Sequence, residues 1–328
     1  MRPLTTLLAA ALLAAGVAAC GSDSSSSSGS KATPAATATK TAAASGQITN
    51  NPANASISLK IGSKNFTEQK ILGEIYAQGL AAAGYKTTTD LNLGDEQTAL
   101  KALKGGQIDA YPEYTGTALL SFFKTPADKL PKDPQAAYEQ AKADFEKDGL
   151  TAFPPTPFTD SNEVAVTQAT ADKLGLKNIS DLSAKAKTLT LYGTPECRQR
   201  MDCLLGLEKI YGLKFKKFVP VAPDQRHEVL QSGRADVSIV FTTDPQIKRN
   251  KEVLLEDDKG MFPPYNSTLV MKQATASKAG GDLPKVLDLI QKPLTDDAMQ
   301  ELDARVDIDK KEPGEVAKEY LQETGLVK

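Results

Sequence analysis

The sequence predicts an α/β protein made of two similar lobes, and three observations carry that expectation. Strand-like and helix-like patterns alternate from about residue 57 onward. One helix–glycine–strand unit occurs twice, far apart in the chain. Each copy runs into a polar, threonine-bearing turn, the kind of strand end beyond which open α/β sheets bind ligands.

The chain begins with a segment that is not part of the fold. Arg2 precedes an Ala/Leu-rich stretch from Leu4 to Val17. That stretch is shorter than the roughly 20 apolar residues a spanning helix needs. It ends in Val17-Ala18-Ala19-Cys20, so residues 1–19 read as a signal peptide, with Cys20 as a bacterial lipidation site. An ordinary signal peptide with an incidental cysteine is the alternative. Residues 20–55 continue as a Ser run and an Ala/Thr-rich stretch. They lack apolar periodicity and read as a disordered tether.

The folded part is expected from Ser56. Ile57, Leu59 and Ile61 alternate with polar residues as a strand. A helix opens near Thr67, carries Ile71, Leu72, Ile75 and Leu80 on one face, and stops at Gly84. Tyr85 to Leu93 reads as a second strand. The repeated unit follows. Ala99–Leu103 leads through Gly105-Gly106 into Asp109-Ala110-Tyr111, and His227–Leu230 leads through Gly233 into Asp236-Val237-Ser238. The turns are Tyr114-Thr115-Gly116-Thr117 and Phe241-Thr242-Thr243-Asp244. Thr115 or Thr117 could cap one helix there, and Thr243 or Asp244 another, with Pro245 in its first turn. Glu312 to Leu326 reads as an amphipathic helix burying Val316, Ala317, Tyr320 and Leu321.

Composition narrows the function. The 328 residues are 40% hydrophobic, enough for one large or two medium domains, and a net charge of -2 argues against a nucleic-acid partner. His227 is the single histidine. That disfavours a His-built metal site or a Ser–His or Cys–His nucleophile, and no cofactor is expected. No Gly-x-Ser-x-Gly elbow, P-loop or zinc-type His motif occurs, so an enzyme is not expected. Glu113 and Asp160 are the carboxylates that would serve acid–base chemistry if they lay close together. His227 itself, between Arg226 and Glu228, reads as exposed and functionless. Cys197 and Cys203, six positions apart, pair in an oxidising compartment, with a metal site as the weaker alternative.

At these residues a family becomes visible. Ile61-Gly62-Ser63-Lys64-Asn65-Phe66-Thr67-Glu68 and Gly106 to Thr117 stand in order with Phe241-Thr242-Thr243-Asp244, Leu255–Lys259 and Phe262-Pro263-Pro264-Tyr265. The chain resembles the binding proteins of glycine betaine, carnitine and choline ABC importers, within the type II periplasmic binding protein fold. The resemblance implies a two-lobed clamshell, each lobe a mixed sheet flanked by helices. Residues 56–159 and 264–328 would form one lobe and 160–263 the other.

It further implies a lipid-anchored, extracytoplasmic, monomeric protein that captures a small quaternary-ammonium or zwitterionic ligand and delivers it to an ABC permease. Another small amino-acid-like ligand, or a sensor role without transport, remains open. The family holds the ammonium in a cage of rings by cation–π attraction. Tyr114 and Tyr265 match two cage tyrosines; taken alone, both would read as packing residues at a lobe edge. Phe241 stands where a third Tyr is usual and Asn162 where a fourth is, so the cage departs from the family pattern at two of its positions. Asp160 matches a site beside the cage. Lys64 and Thr117 match groups that hold a carboxylate, and Arg200 or Arg198 would join them.

Overall fold

The computed structural model describes residues 46–126 and 129–328. Cys20, the segment 1–19 and the tether as far as residue 45 lie outside the described residues. Two five-stranded mixed sheets form the frame. The strands are β1 (Ser58–Gly62), β2 (Lys86–Asp90), β3 (Ala110–Tyr114), β4 (Leu150–Ala152), β5 (Asn162–Thr167), β6 (Thr190–Gly193), β7 (Lys217–Pro220), β8 (Val237–Phe241), β9 (Glu252–Leu255) and β10 (Ser267–Lys272). The first sheet has the order β2-β1-β3-β10-β4 and the second β7-β6-β8-β5-β9.

The two orders are one design used twice. β1 lies parallel to β2 and β3, as β6 lies parallel to β7 and β8. β10 runs antiparallel to β3 and β4, as β5 runs antiparallel to β8 and β9. The repeated unit sits at the same place in each sheet. Helix Glu96–Gly105 ends at Gly106 (φ 78°) before β3, and helix Arg226–Gln231 precedes Gly233 (φ 70°) and β8. The aspartate in each copy has one job. The Asp109 carboxylate accepts the Lys60 N–H at 2.8 Å, and the Asp236 carboxylate accepts the Thr190 N–H at 2.7 Å. Each thereby ties its own strand to the parallel neighbour.

Helix Thr67–Ala82 buries Ile71, Leu72, Ile75 and Leu80 completely. Gly84 ends it with φ 98°, and a Cβ there would stand 2.5 Å from the Asn51 carbonyl oxygen. The following strand is shorter than its apolar pattern. Asn92 turns left-handed (φ 63°), and the Leu93 N–H bonds to the Ser63 carbonyl, drawing the chain off the sheet. The last helix, Pro313–Glu323, buries Val316, Ala317, Tyr320 and Leu321 and packs along Thr67–Ala82.

The tether ends earlier than its composition implies. Ile48 is buried in the first core and donates its N–H to the Leu326 carbonyl at 2.9 Å. Asn51 caps the short turn Pro52–Ser56, and the buried Asn54 amide donates to the Ala83 carbonyl. One isoleucine and one cap are too little signal to emerge from a low-complexity run.

The chain crosses between the sheets twice, through residues 153–161 and 256–266. The crossings pair with each other as an isolated antiparallel bridge, Thr159 with Asn266. The Asn266 amide donates to the carbonyls of Thr156 and Phe158, and the Asp160 N–H donates to the Tyr265 carbonyl. Among the described residues no helix is long and apolar enough to cross a membrane.

Candidate ligand-binding site

β3 and β8 end facing one cleft between the sheets, and the crossing segments form its floor. The space left free inside the cleft is about 50 Å³. Lys64, Tyr114, Thr117, Asp160, Asn162, Arg200, Phe241 and Tyr265 all line it. These residues span most of the folded chain, and the duplicated topology brings them together.

The rings come first. Tyr114 closes β3, and its hydroxyl donates to Glu68 at 2.5 Å. Tyr265 stands on the second crossing, and its hydroxyl donates to Asp202 at 2.5 Å. Gly116 makes room for it, since a Cβ there would meet the Tyr265 ring at 2.7 Å. Phe241 closes β8, half-buried. Phe66, from the loop after β1, stacks on Tyr114 (centroids 6.2 Å apart) and tilts against Phe241 (5.1 Å). One ring therefore touches both halves of the cleft. Sequence reasoning missed Phe66 as a lining residue, although it sits in the quoted motif two positions after Lys64.

The ring faces carry the protein's own cations. Lys64 Nζ lies 4.4 Å from the Tyr114 centroid, and the Arg226 guanidinium lies 3.7 Å from that of Phe241. Lys64 is buried and paired with Glu113 at 2.5 Å. Glu113, fully buried, also accepts from the Tyr111 hydroxyl and the Tyr114 N–H. Tyr111 points to the opposite face of β3 from Tyr114 and joins a different core cluster.

Arg200 is the most heavily bonded residue of the cleft. Its Nε donates to Asp202 at 2.9 Å and its Nη2 to the same carboxylate. Nη2 also reaches Thr117 Oγ1 at 3.4 Å, and Nη1 lies 3.3 Å from Glu96. Asp202 is fully buried. Burial works against its charge, but the Arg200 guanidinium and the hydrogen bonds from Arg200 and Tyr265 hold its carboxyl below the usual range. The Asn162 amide donates to the same Asp202, to its carboxylate at 3.0 Å and its carbonyl at 3.1 Å. Asn162 thus spends its donors on the cleft wall. A disulfide between Cys197 and Cys203, with Cα atoms 5.1 Å apart, brackets Arg200.

The acids gather beside the rings. Burial, followed by the neighbouring Glu68 and Asp244, pushes the Asp160 carboxyl well above its usual range. Burial likewise raises Glu68 to about 7, against the Tyr114 hydroxyl that favours its charge. Thr243 donates its hydroxyl to Asp160 at 3.0 Å.

Four expectations are corrected here. Thr115 and Thr117 do not cap the helix that follows β3. Its cap position is Tyr114, the Thr115 hydroxyl donates to the Pro264 carbonyl, and Thr117 faces Arg200. Thr243 and Asp244 do not cap the next helix, Gln246–Asn250; Asp244 instead turns back to accept the Phe241 N–H at 2.7 Å. His227 is neither exposed nor idle. It is buried between Asp244 (2.9 Å) and Glu252 (2.7 Å). Arg198 points away from the cleft, exposed, over the Phe218 ring at 4.6 Å. Glu96, Asp202 and Arg226 were also missed. Asp202 lies two positions from Arg200, and Arg226 lies beside His227 in the repeated unit. An isolated charge in sequence reads as solvated, and only the fold supplies the partners.

A two-lobed α/β protein with duplicated sheets and an aromatic, acid-lined cleft between them is a type II periplasmic binding protein. The comparisons agree. A family described as the substrate binding domain of ABC-type glycine betaine transport systems matches residues 57–323. The glycine-betaine-binding protein of Pseudomonas aeruginosa is 34% identical over 280 residues, covering 82% of this chain and 88% of that protein. The Helicobacter pylori ergothioneine transport permease/ergothioneine binding protein EgtU is 30% identical over 82% of this chain, which spans 48% of that longer protein. Among solved structures, a glycine betaine/carnitine/choline ABC transporter protein superposes with a TM-score of 0.64 at 27% identity, over 80% of this chain and 97% of its own. Apo YehZ of Escherichia coli gives 0.58 at 28% identity, over 82% and 99%. The chain belongs to this family, a family of transport substrate-binding proteins rather than enzymes.

Proposed function

We propose that this protein captures a small quaternary-ammonium osmolyte of the glycine betaine type between its lobes and delivers it to an ABC permease. The observation that carries the reading is the ring cluster of Tyr114, Tyr265, Phe66 and Phe241 beside Asp160, at the mouth of both sheets. A trimethylammonium group has no N–H to donate, so ring faces and a nearby carboxylate suit it better than hydrogen-bond acceptors alone. Phe66 adds a further ring beside Tyr114 and Phe241. Lys64, Thr117 and Arg200 line the same cleft and bring the donors a ligand carboxylate would need.

Residues 56–159 with 264–328 would close on 160–263 about the Thr159–Asn266 bridge. Closure excludes water and strengthens each contact. The signal pattern of residues 1–20 and the Cys197–Cys203 pair support export, with lipid anchoring at Cys20 outside the cell membrane. The trimethylammonium compounds named for the relatives make the carboxylate-bearing betaines the first ligands to try.

The test is a pair of variants. Tyr265→Ala removes a ring face and should weaken binding by about 30-fold, the equivalent of roughly 2 kcal/mol for a desolvated cation–π contact. Tyr265→Phe keeps the ring, loses the bond to Asp202, and should retain most of the affinity. An unchanged affinity in a folded Tyr265→Ala protein would refute the cage.

A further inference from the structure

Beside the ring-walled cleft lies a second cavity with about 310 Å³ of free space, against about 50 Å³ in the cleft itself. The two are neighbours, since Asn65, Phe66, Pro223, Arg226 and Phe241 line both. Helices from both lobes wall the second cavity, with Glu68 on Thr67–Ala82, Gln246 on Gln246–Asn250 and Asp303 on Asp296–Asp307.

Its walls hold most of the unmet polar atoms. Among the described residues eight buried side-chain nitrogens and oxygens have no hydrogen-bond partner. Five belong to residues of this one cavity: Glu68 Oε2, Gln246 Oε1, Asp303 Oδ1, and Arg226 Nε and Nη1. Glu68, Asp303 and Arg226 are only 2%, 3% and 5% exposed. Buried polar atoms are costly to leave unmet, and their gathering at one void marks a place for a polar guest.

The chemistry of that guest follows from the atoms. The acids do not make a metal site: the described residues form no group of three or more His, Cys, Asp or Glu that could hold an ion. Asp244 is answered by Arg226 and His227, and Asp307 by Thr67 and Gln246. Three oxygens and two N–H donors remain around one space. A neutral group that both donates and accepts meets both kinds, whereas a phenyl or alkyl group meets neither. A polar cavity of this size also admits water, which a ring of matching polarity replaces without losing hydrogen bonds.

We propose that this second cavity is a subsite for a ligand side chain, so that the protein takes betaines whose α-carbon bears a neutral, hydrogen-bonding ring or amide. This rests on the quaternary-ammonium reading of the cleft. The trimethylammonium sits against the rings and the carboxylate meets Lys64, Thr117 and Arg200. The side chain passes Phe66 into the second cavity, where Arg226 donates to it and Gln246 and Asp303 accept from it.

The experiment measures Kd by calorimetry on the full-length protein for glycine betaine and for the Nα-trimethyl betaines of L-histidine and L-phenylalanine. The histidine betaine should bind at least about tenfold more tightly than glycine betaine, the scale of one or two added hydrogen bonds. The phenylalanine betaine, similar in size, should bind at least about tenfold more weakly than the histidine betaine. Asp303 lines the second cavity and not the cleft. Asp303→Leu should therefore leave glycine betaine within about threefold of the wild type and cut the advantage of the histidine betaine to about threefold or less. Asp303→Asn keeps an acceptor and should retain that advantage. If neither variant folds, the comparison of the three betaines on the wild-type protein decides alone. Equal affinity for the histidine and phenylalanine betaines, glycine betaine binding as tightly as the histidine betaine, or an undiminished advantage in folded Asp303→Leu would overturn the subsite and leave the cage standing. Binding of none of the three would overturn the cage reading and the subsite with it.

Discussion

His227 provides a sharp quantitative test of the site's framework. Its two ring nitrogens face Asp244 at 2.9 Å and Glu252 at 2.7 Å, and the residue is 5% exposed. Burial opposes a charged imidazole, but the hydrogen bonds and charges of the two carboxylates outweigh it and raise the pKa to about 9 from 6.5. A group whose pKa rises on folding stabilises the folded state fully below its unfolded value. That contribution is lost as pH climbs through the folded one. The window therefore runs from about pH 6.5 to 9, and the shift corresponds to about 3 kcal/mol. The perturbation is His227→Gln, and the assay is urea unfolding of both proteins at pH 6, 7.5 and 9.5. The variant should be less stable by about 3 kcal/mol at pH 6, and the gap should close by pH 9.5. Glu68 and Glu163, raised to about 7 and about 8, titrate in both proteins, so the difference reports His227 together with the Asp244 carboxylate it holds down. A gap of the same size at pH 6 and 9.5 would show that His227 contributes packing rather than charge.

Three further outcomes are expected. Gly116→Ala forces a methyl to within 2.7 Å of the Tyr265 ring and 2.9 Å of the Pro264 carbonyl. It should cost about 1–3 kcal/mol of stability and weaken ligand binding, and a variant with wild-type melting and Kd would contradict the packing argument. Replacing Cys197 and Cys203 by serine should lower stability by about 2 kcal/mol on loop-entropy grounds, measured by denaturant unfolding; no change would mean that the short loop is already ordered without the bond. Glu68, raised to about 7, is neutral in acid and charged in mild base, so a cationic ligand beside it should bind more tightly at pH 8 than at pH 6, by up to about tenfold. Calorimetry in buffers of different ionisation heat should register proton release, and affinity that rises on acidification would contradict the placement.

The alternation of Ile57, Leu59 and Ile61 and the apolar face of Thr67–Ala82 were legible because burial imposes a period on the sequence. The repeated Asp109 and Asp236 units announced the duplicated sheets, and they recur because the same strand junction recurs. What stayed hidden depends on partners distant in sequence. His227 reads as a surface residue until β9 places Glu252 against it. Asp202 reads as a loop charge until Tyr265, some 63 positions away, reaches it. Arg226 needs both Phe241 and Asp244 to become a fixed cation. The cap assignments failed because Thr117, Thr243 and Asp244 are drawn instead to Arg200, Asp160 and the Phe241 N–H, polar groups withdrawn from solvent that need partners.

The central claim is that the cleft recognises a positive charge through ring faces. Calorimetric titration of the wild-type protein, freed of bound ligand, with glycine betaine and with its uncharged-head isostere 3,3-dimethylbutanoate tests that most directly. The two differ in one atom at the head, nitrogen against carbon, and have nearly the same shape. The account predicts micromolar or tighter binding of glycine betaine, and at least about 30-fold weaker binding of the isostere. Equal affinity for the two, or no binding of glycine betaine or any other quaternary amine by the folded protein, would contradict it.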